Sequence, residues 1–254
     1  MQDRLRNAPR VHLQLTNLEE QISLSNGKDK KKTEIVRDDS TRDRILLAAG
    51  PIFAGKGFRS ATVREICVAA QVNVASINYY FGDKQQLYTE TVVMARQMRA
   101  QQFPYPDWDQ TTSAEEKLHG FVSLLLNRLV ALQTEPWQVR LLMREILQPT
   151  EACKKLVKDY FRPFFDVLLV VVDELIGFRL PDHQRNKIGF SIIGQCLYYR
   201  IAADVTAMFI ETSEDDQQDA HYEMEQLADH VAEFSLGAIQ KLKQSHQKKQ
   251  EELK

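Results

Sequence analysis

Three short helices, each marked by an N-terminal capping residue, are the feature of residues 40–85 that most restricts the fold. Ser40, Thr62 and Asp83 each stand three residues before an acidic or amide residue, a spacing typical of helix starts. Apolar residues recur at helical spacing between these caps. Only residues 71–73 separate the second helix from the third. This arrangement predicts a helix-turn-helix, in which a tight turn joins two closely packed helices.

The composition of the whole chain supports a helical protein. Gly (10 residues) and Pro (8 residues) are scarce among 254 residues, whereas the helix formers Ala, Leu, Gln, Glu, Lys and Arg are plentiful. Apolar residues make up 43% of the chain, enough for a sizeable core. No segment has the alternating pattern of a strand. We therefore predict an all-α fold.

The sequence gives no indication of secretion, a membrane span or a cofactor. The longest central apolar run, residues 167–172, is far shorter than the ~18 residues of a spanning helix. Residues 1–10 lack the apolar stretch of a secretory signal. Cys67, Cys153 and Cys196 form no C-x-x-C pair, so we expect reduced thiols and a cytoplasmic location. We expect no cofactor, no metal and no membrane partner.

Shifts in composition divide the chain into five segments. Residues 1–39 are predicted to be a flexible N-terminal extension, in which the few apolar residues at 11–22 are compatible with a short helix and residues 25–34 have the polar, charge-rich composition of a linker. The helix-turn-helix unit spans 40–85 and is followed by a connecting helix at 86–102. A larger helical domain spans 103–244, and residues 245–254 form a polar tail.

Gly, Pro and capping residues predict where the helices begin and end. The first helix begins at Ser40 and stops near residues 55–57. The predicted features of the larger domain are helices that begin at Ser113 and Pro136, a segment at 149–177 kinked at Pro163, long helices at 181–210 and 219–243, and an acidic loop at 211–218.

Charge is distributed unevenly along the chain. The total is nearly neutral, with 33 Lys and Arg against 35 Asp and Glu. Residues 28–103 carry 13 Lys and Arg against 8 Asp and Glu, a net charge of +5, whereas residues 104–254 carry 17 against 24, a net charge of −7. A basic N-terminal third favours contact with a polyanion. The lysines at 28–32 either join that contact or are simply solvated.

The third helix carries the side chains best suited to such a contact. Its exposed side is predicted to hold Ser76, Asn78, Tyr79 and Tyr80, which are short or rigid hydrogen-bonding residues that suit phosphates and base edges. A generic three-helix core would instead expose flexible charged residues. The pattern therefore favours a helix-turn-helix that binds DNA.

A resemblance to a known family is carried by residues 61–88, A-T-V-R-E-I-C-V-A-A-Q-V-N-V-A-S-I-N-Y-Y-F-G-D-K-Q-Q-L-Y. This stretch, within residues 41–101, resembles the DNA-binding domain of the TetR family of bacterial transcriptional regulators. The segments M-R-E-I-L-Q-P-T (143–150) and I-I-G-Q-C-L-Y-Y-R (192–200) are similar to the ligand-binding half of the CecR-type subgroup. Three positions depart from the family's usual residues: Asn78 for tyrosine, Gln71 for glycine and Cys67 for alanine. The operator sequence therefore does not transfer from a relative.

The resemblance implies both an architecture and a function. It implies an N-terminal three-helix helix-turn-helix DNA-binding domain, followed by a larger helical ligand-binding and dimerisation domain. It further implies a homodimeric repressor that leaves a palindromic double-stranded DNA operator when a small, largely apolar or drug-like molecule binds.

Ten residues are expected to contact DNA. Thr62 and Arg64 start the second helix, where backbone N–H groups favour a phosphate, although Thr62 has capping as its alternative role. The start of the third helix enters the major groove, where Val74 and Ala75 either face DNA or only pack. Asn78 reads adenine or meets a phosphate. The full set is Thr62, Arg64, Asn73, Val74, Ala75, Ser76, Asn78, Tyr79, Tyr80 and Lys84.

Two further sets of residues are expected in the larger domain. Aromatic, Met and polar residues suit a small-molecule pocket, and each is also an ordinary core residue: Phe121, Arg128, Trp137, Met143, Arg144, Phe164, Phe165, Gln195 and Tyr199. Small and apolar residues suit a dimer interface or packing within one chain: Gly189, Ile193, Gly194, Leu197, Arg200 and Ala203.

Other classes of function compete with this interpretation. An enzyme has no support from a Gly-x-Ser-x-Gly, P-loop or H-E-x-x-H motif. His221 and Glu225, at i and i+4, fit a solvated helix face as well as a pair of metal ligands. A helical ligand-binding or interaction protein without DNA binding stays open, as does a regulator without an inducer. Salt-dependent binding to DNA distinguishes these classes.

Overall fold

The computed structural model describes residues 34–129, 136–211 and 224–252. All regular structure in these ranges is helical, which confirms the all-α prediction. None of these helices is long and apolar enough to cross a membrane. In chain order they are α1 (Glu34–Ser60), α2 (Val63–Ala70), α3 (Val74–Phe81), α4 (Lys84–Gln102), α5 (Ala114–Leu129), α6 (Trp137–Leu147), α7 (Glu151–Leu156), a π turn (Val157–Phe161), α8 (Arg162–Ile176), α9 (Asp182–Ile201), α10 (Ala203–Glu211) and α11 (Met224–Glu252).

Helices α1 to α3 form the predicted helix-turn-helix unit, and α4, which contains the predicted connecting helix, packs against them. Thr62 caps α2, because its Oγ1 accepts a hydrogen bond from the Glu65 N–H (3.2 Å) while its own N–H donates to the Glu65 carboxylate (3.0 Å). The turn between α2 and α3 passes through Gln71, which has φ and ψ of 53° and 48°. Val72 follows it and packs against the core of the unit. The unit's centre is filled by fully buried side chains from all four helices: Ile45, Phe53, Ile66, Ile77 and Leu87.

Helix α1 differs from its prediction at the N-terminal end. It begins at Glu34, so Ser40 lies inside the helix and does not cap it. Residues 34–39 form the first part of α1. The predicted stop at 55–57 corresponds to a break at Gly57, whose φ of 75° and ψ of 172° favour glycine.

The larger domain packs α5, α8, α9 and α11 around a second core, which includes Leu118, Phe121, Leu168, Val172 and Val231. As predicted, Ser113 caps α5 and Pro136 precedes α6. The kink predicted at Pro163 lies earlier, as the π turn, and Pro163 stands in the first turn of α8. Proline has no N–H to donate to the preceding turn. Just before this proline the Arg162 N–H donates to the Val157 carbonyl, five residues earlier, which is the wider spacing of a π turn.

The C-terminal helices also depart from their predicted limits. The helix expected at 181–210 is interrupted at Ala202, whose φ and ψ of −101° and 17° separate α9 from α10. Helix α11 continues to Glu252, past its predicted end at 243, so residues 245–252 of the polar tail are helical. Of the acidic loop expected at 211–218, only Glu211 is described, as the end of α10, and His221 lies outside the described residues.

Helices α6 and α7 join the two halves of the chain by packing. Leu141, Leu156 and Tyr160 belong to the same core as α1–α4. The Trp137 ring covers Gly50 of α1 so closely that a Cβ added there would lie 2.4 Å from a ring carbon. The helix-turn-helix unit therefore shares its core with the first part of the larger domain.

Polar contacts strengthen the same junction. Glu145 of α6 is fully buried and accepts hydrogen bonds from the Tyr88 hydroxyl of α4 (2.6 Å) and the Thr150 N–H (3.1 Å). Burial and then the hydrogen bond to Glu145 raise the pKa of Tyr88, so its phenol stays a donor. Arg144 donates to the carbonyls of residues 54 and 55 (2.7 Å each), where the regular part of α1 ends.

Candidate nucleic-acid interface

Helix α3 presents one exposed face. Val74, Ala75, Asn78 and Tyr79 are exposed, and Tyr79 is 75% exposed. Their spacing of i, i+1, i+4 and i+5 places them on one side of the helix, whereas Ile77 points into the core. The small side chain of Ala75 lies within this face, and the hydrogen-bonding groups of Asn78 and Tyr79 lie beside it. A face of this composition suits close approach to the base edges of a DNA groove.

A cap fixes the N-terminal end of α3. The Asn73 Oδ1 accepts hydrogen bonds from the Ser76 N–H (2.9 Å) and the Ser76 hydroxyl (3.1 Å). Ser76 is half-buried, so the expectation that it stands on the exposed face is corrected. Both side chains serve the helix start, and a DNA contact from either one stays a prediction.

The two tyrosines of α3 occupy different environments. Tyr79 is exposed, whereas Tyr80 is half-buried and packs against the core. Their rings meet edge to face, with 5.0 Å between the centroids and 82° between the planes. The expectation that both tyrosines lie on the exposed side of α3 therefore holds for Tyr79 and is corrected for Tyr80.

The side-chain carboxylate of Glu65 lies at the start of α2. Glu65 accepts the Thr62 hydroxyl hydrogen bond (3.0 Å) and forms an ion pair with Lys56. The hydrogen bond from Lys56, followed by those from Thr62, lowers the pKa of Glu65 to about 2. These contacts give Thr62 its alternative role as a cap. A phosphate contact of Thr62 or of the exposed Arg64 stays a prediction.

Lys84 begins α4 beside the end of α1. Its ammonium lies 4.8 Å from the Phe58 ring centroid and donates to the Arg59 carbonyl (3.3 Å). One of its three N–H donors is thus used, and two remain. The exposed Arg59 lies in the same place but was not singled out from the sequence, because its position depends on the break at Gly57.

The candidate ligand residues of the larger domain do not share one pocket. Phe121, Phe164 and Arg128 lie together, with 4.5 Å between the two rings and 5.4 Å from Arg128 to the Phe164 ring. Trp137 and Arg144 instead contact α1 at the junction. The expectation of one site for all of them is therefore corrected.

The other candidates are used in packing elsewhere. Phe165 stacks on Phe190 with 4.7 Å between the ring centroids, and the Gln195 amide donates to the Ser235 hydroxyl (3.2 Å). Met143 is buried on α6, and Tyr199 is half-buried on α9. These contacts agree with the alternative role of ordinary core residues.

A cavity of about 490 Å³ lies at the junction between the two halves of the chain. Of the nine candidate ligand residues, only Arg144 lines it. The lining residues are Lys56, Gly57, Phe58, Arg59, Ser60, Tyr88, Arg144, Gln148, Pro149 and Thr150.

The candidate dimer residues divide between the interior and the surface of α9. A Cβ added to Gly189 would lie 2.6 Å from the Phe165 ring, so its small size serves packing within the chain, which corrects its assignment to an interface. Gly194 is exposed, and a Cβ there would meet nothing within 4 Å. Ala203 is also exposed. The remaining three are half-buried: Ile193, Leu197 and Arg200.

Large apolar side chains that the sequence patterns did not single out extend this surface. Phe190 and Tyr198 on α9 are 62% and 55% exposed, and Phe234 on α11 is 64% exposed. Gly237 on α11 has open space around it, as Gly194 has. Such a patch on two neighbouring helices indicates a surface for another protein.

Comparison with known proteins identifies the family. Residues 45–91 match the family model described as bacterial regulatory proteins, tetR family, and residues 114–239 match the model described as HTH-type transcriptional dual regulator CecR, C-terminal domain. The HTH-type transcriptional dual regulator CecR of Shigella flexneri is 24% identical over 178 residues, which cover 66% of this chain and 79% of that protein. The HTH-type transcriptional repressor NicS of Pseudomonas putida is 42% identical over 50 residues, 20% of this chain and 24% of that protein.

A solved structure has the same fold. A TetR-like transcriptional regulator from Rhodococcus sp. RHA1 superimposes with a TM-score of 0.55 at 15% identity, covering 77% of this chain and 93% of that one. These matches indicate a DNA-binding regulator of transcription and not an enzyme. The chain belongs to the TetR family of bacterial transcriptional regulators, and its C-terminal domain is of the CecR type.

Proposed function

We propose that this regulator is a cytoplasmic homodimer that binds a palindromic operator through α3 and represses transcription until a small molecule releases it. The exposed face of α3, formed by Val74, Ala75, Asn78 and Tyr79, carries the proposal. A single α3 spans too few base pairs for useful specificity, so two copies on two half-sites are needed.

Different residues are proposed to supply affinity and specificity. Tyr79 and Lys84 meet phosphates, which position the protein without reading sequence. Asn78 and Val74 meet base edges, where an amide pairs with adenine and an apolar group with the thymine methyl. Asn73 supports them by capping α3.

The test selects bound DNA from a random pool and then measures affinity for the selected operator and for random DNA. Tyr79→Phe and Lys84→Ala are each expected to weaken binding to the operator and to random DNA by the same factor. Lys84→Ala also lowers by about one the slope of log affinity against log salt concentration. Asn78→Ala is expected to reduce the difference in binding free energy between operator and random DNA by about 1–3 kcal/mol. Lys158→Ala, at an exposed lysine of the π turn, is the control. If Lys84→Ala weakened binding to the operator more than binding to random DNA, Lys84 would read bases and would not be a phosphate contact.

The proposed dimer surface consists of the outer faces of α9 and α11. Phe190, Gly194 and Tyr198 recur at i, i+4 and i+8 along α9, and Phe234 and Gly237 lie on α11. The two glycines let a second chain approach the backbones closely, as in a four-helix interface. Gly189 is left out of this surface because it faces Phe165 within the chain.

Gly194→Arg tests the dimer without disturbing the monomer, because open space surrounds the Gly194 Cβ position. We expect wild type to scatter light as twice 29.3 kDa and Gly194→Arg as a single chain, because an unpaired charge is not tolerated in a buried contact. Gly194→Ala is the matched control and stays dimeric. A monomeric wild type, free and on DNA, contradicts the proposal.

The sign of regulation depends on where the operator lies relative to the promoter. The name of the Pseudomonas putida relative describes a repressor and that of the Shigella flexneri relative a dual regulator. A reporter driven from the selected operator measures the sign directly. Expression that rises when this chain is removed supports repression, and expression that falls indicates activation.

A further inference from the structure

Three arginines meet where the end of α4 approaches the end of α5. Arg96 and Arg99 lie on α4, and Arg128 lies in the last turn of α5. Burial lowers the pKa of all three guanidinium groups. For Arg128 the neighbouring Tyr105 phenol opposes this pKa shift, whereas the positive charges of Arg96 and Arg99 add to it. We call these three residues the arginine cluster. Only Arg128 was singled out from the sequence, because the cluster forms only where the ends of α4 and α5 approach each other.

The part of the chain that the structure describes supplies no carboxylate to the arginine cluster. Neutral oxygens hold two of its members instead. Arg99 donates to the carbonyls of Asn127 and Arg128, and Arg128 donates to the Phe103 carbonyl (2.7 Å). Carbonyls orient a guanidinium but carry no net charge. Three positive charges therefore lie close together in a partly buried place, which is costly unless an anion joins them.

Arg96 has the fewest partners of the three. Its guanidinium lies 4.1 Å from the Tyr160 ring centroid, and it forms no hydrogen bond with another described residue. A guanidinium has five N–H donors in a planar fork that fits a carboxylate. The donors of Arg96 are thus available to a bound molecule.

Aromatic rings surround the same place. Arg128 lies over the rings of Tyr105 and Phe164, at 5.0 Å and 5.4 Å from their centroids, and Phe121 packs on Phe164. Such contacts offset part of the cost of burying a cation, but a ring supplies no negative charge. Guanidinium donors beside aromatic surface match a molecule that has both a carboxylate and an aromatic ring.

We propose that the arginine cluster binds an aromatic carboxylate and that this anion is the effector. The inference rests on the proposed effector-controlled function, and it replaces the expected apolar molecule with a negatively charged one. Arg96 stands on the same helix as Lys84, about 18 Å further along its axis. An anion that draws the end of α4 towards α5 therefore also displaces the Lys84 end, which lies beside α3.

The first experiment measures ligand binding by the full chain without DNA. The probes are benzoate and 1-naphthoate, each with its neutral amide as a control of the same shape. A carboxylate at ten times its Kd is expected to raise Tm by about 3–6 °C, while the amides leave Tm unchanged. Arg96→Gln abolishes the shift, whereas Arg179→Gln, at an exposed arginine, retains it. No shift with either carboxylate overturns the inference.

The second experiment needs no ligand. Arg96→Gln removes one of three mutually repelling charges, so we expect it to raise the Tm of the free protein. Glu135 lies outside the described residues and is tested as an internal counter-ion by Glu135→Gln. If Arg96→Gln and Glu135→Gln each lower Tm equally and their combination lowers it no further, the charges are paired within the chain and the inference is overturned.

Measuring operator affinity with and without each probe separates this inference from the proposed function. A carboxylate that binds and weakens operator binding by 5–150-fold, the usual range of coupling, supports both. If a carboxylate binds without changing operator affinity, the effector role is overturned and only the claim of an anion-binding site stands. Intact operator binding with no carboxylate binding overturns the inference and leaves the regulator.

Discussion

Tyr88→Phe removes one hydroxyl from the junction between α4 and α6. The hydroxyl donates to a carboxyl of Glu145 that is fully buried and otherwise bonded to Thr150. A hydrogen bond to a charged group contributes about 1.5–3 kcal/mol, and a buried acceptor left without its donor costs a similar amount. We therefore expect Tyr88→Phe to lower the free energy of unfolding by about 2–3 kcal/mol.

For a chain of this length each kcal/mol corresponds to about 2–4 °C in Tm, so the expected loss is about 4–12 °C. Denaturant melts at fixed protein concentration measure it, and Tyr79→Phe is the matched control. Tyr79 is exposed and its hydroxyl has no partner among the described residues, so its loss changes stability by less than about 0.5 kcal/mol. In a Glu145→Gln background the effect of Tyr88→Phe should shrink. Equal effects of the two Tyr→Phe variants would refute the reasoning.

Three further changes test local features of the fold by thermal or denaturant melts. Gln71→Gly is expected to stabilise the chain by about 0.5–1 kcal/mol, because it relieves a left-handed conformation that costs a side-chain-bearing residue about 1–2 kcal/mol; no gain would mean that the Gln71 side chain stabilises the turn. The low pKa of Glu65 means that its carboxylate stabilises α2 fully above pH about 4.5 and loses this effect as pH falls towards about 2. We therefore expect Glu65→Gln to have a lower free energy of unfolding than wild type at pH about 6 and the same free energy of unfolding near pH about 2. Gly189→Ala is expected to cost about 1–3 kcal/mol by contact with Phe165, whereas Gly194→Ala raises stability by about 0.5–1 kcal/mol; a reversed order would contradict the packing of α9.

Features that depend on a few neighbouring residues were predictable from the sequence. The caps at Thr62, Asp83 and Ser113 follow from a three-residue spacing, and the structure contains all three. Ser40 has the same spacing but lies inside α1, which begins earlier at Glu34. A capping pattern therefore indicates a helix start only where the preceding residues cannot extend the helix.

Features that depend on packing between distant segments were not predictable. Trp137 and Arg144 have their partners on α1, almost ninety residues earlier in the chain. Arg96 lies near Arg128 only because the ends of α4 and α5 approach each other, where Arg99 of α4 donates to the Asn127 carbonyl of α5. A helical pattern states which side of each helix is apolar, but it does not state which other helix will cover that side.

The core shared by α1–α4 with α6 and α7 limits how this chain recombines with its relatives. A crossover placed after Gln102, at the end of α4, would separate Leu141, Leu156 and Tyr160 from the helices they cover. The transplanted DNA-reading half would then carry an open apolar side. A chimaera keeps this core intact only if its crossover lies at the π turn before α8. The segment that must be transferred as one unit is therefore longer than the DNA-binding helices alone.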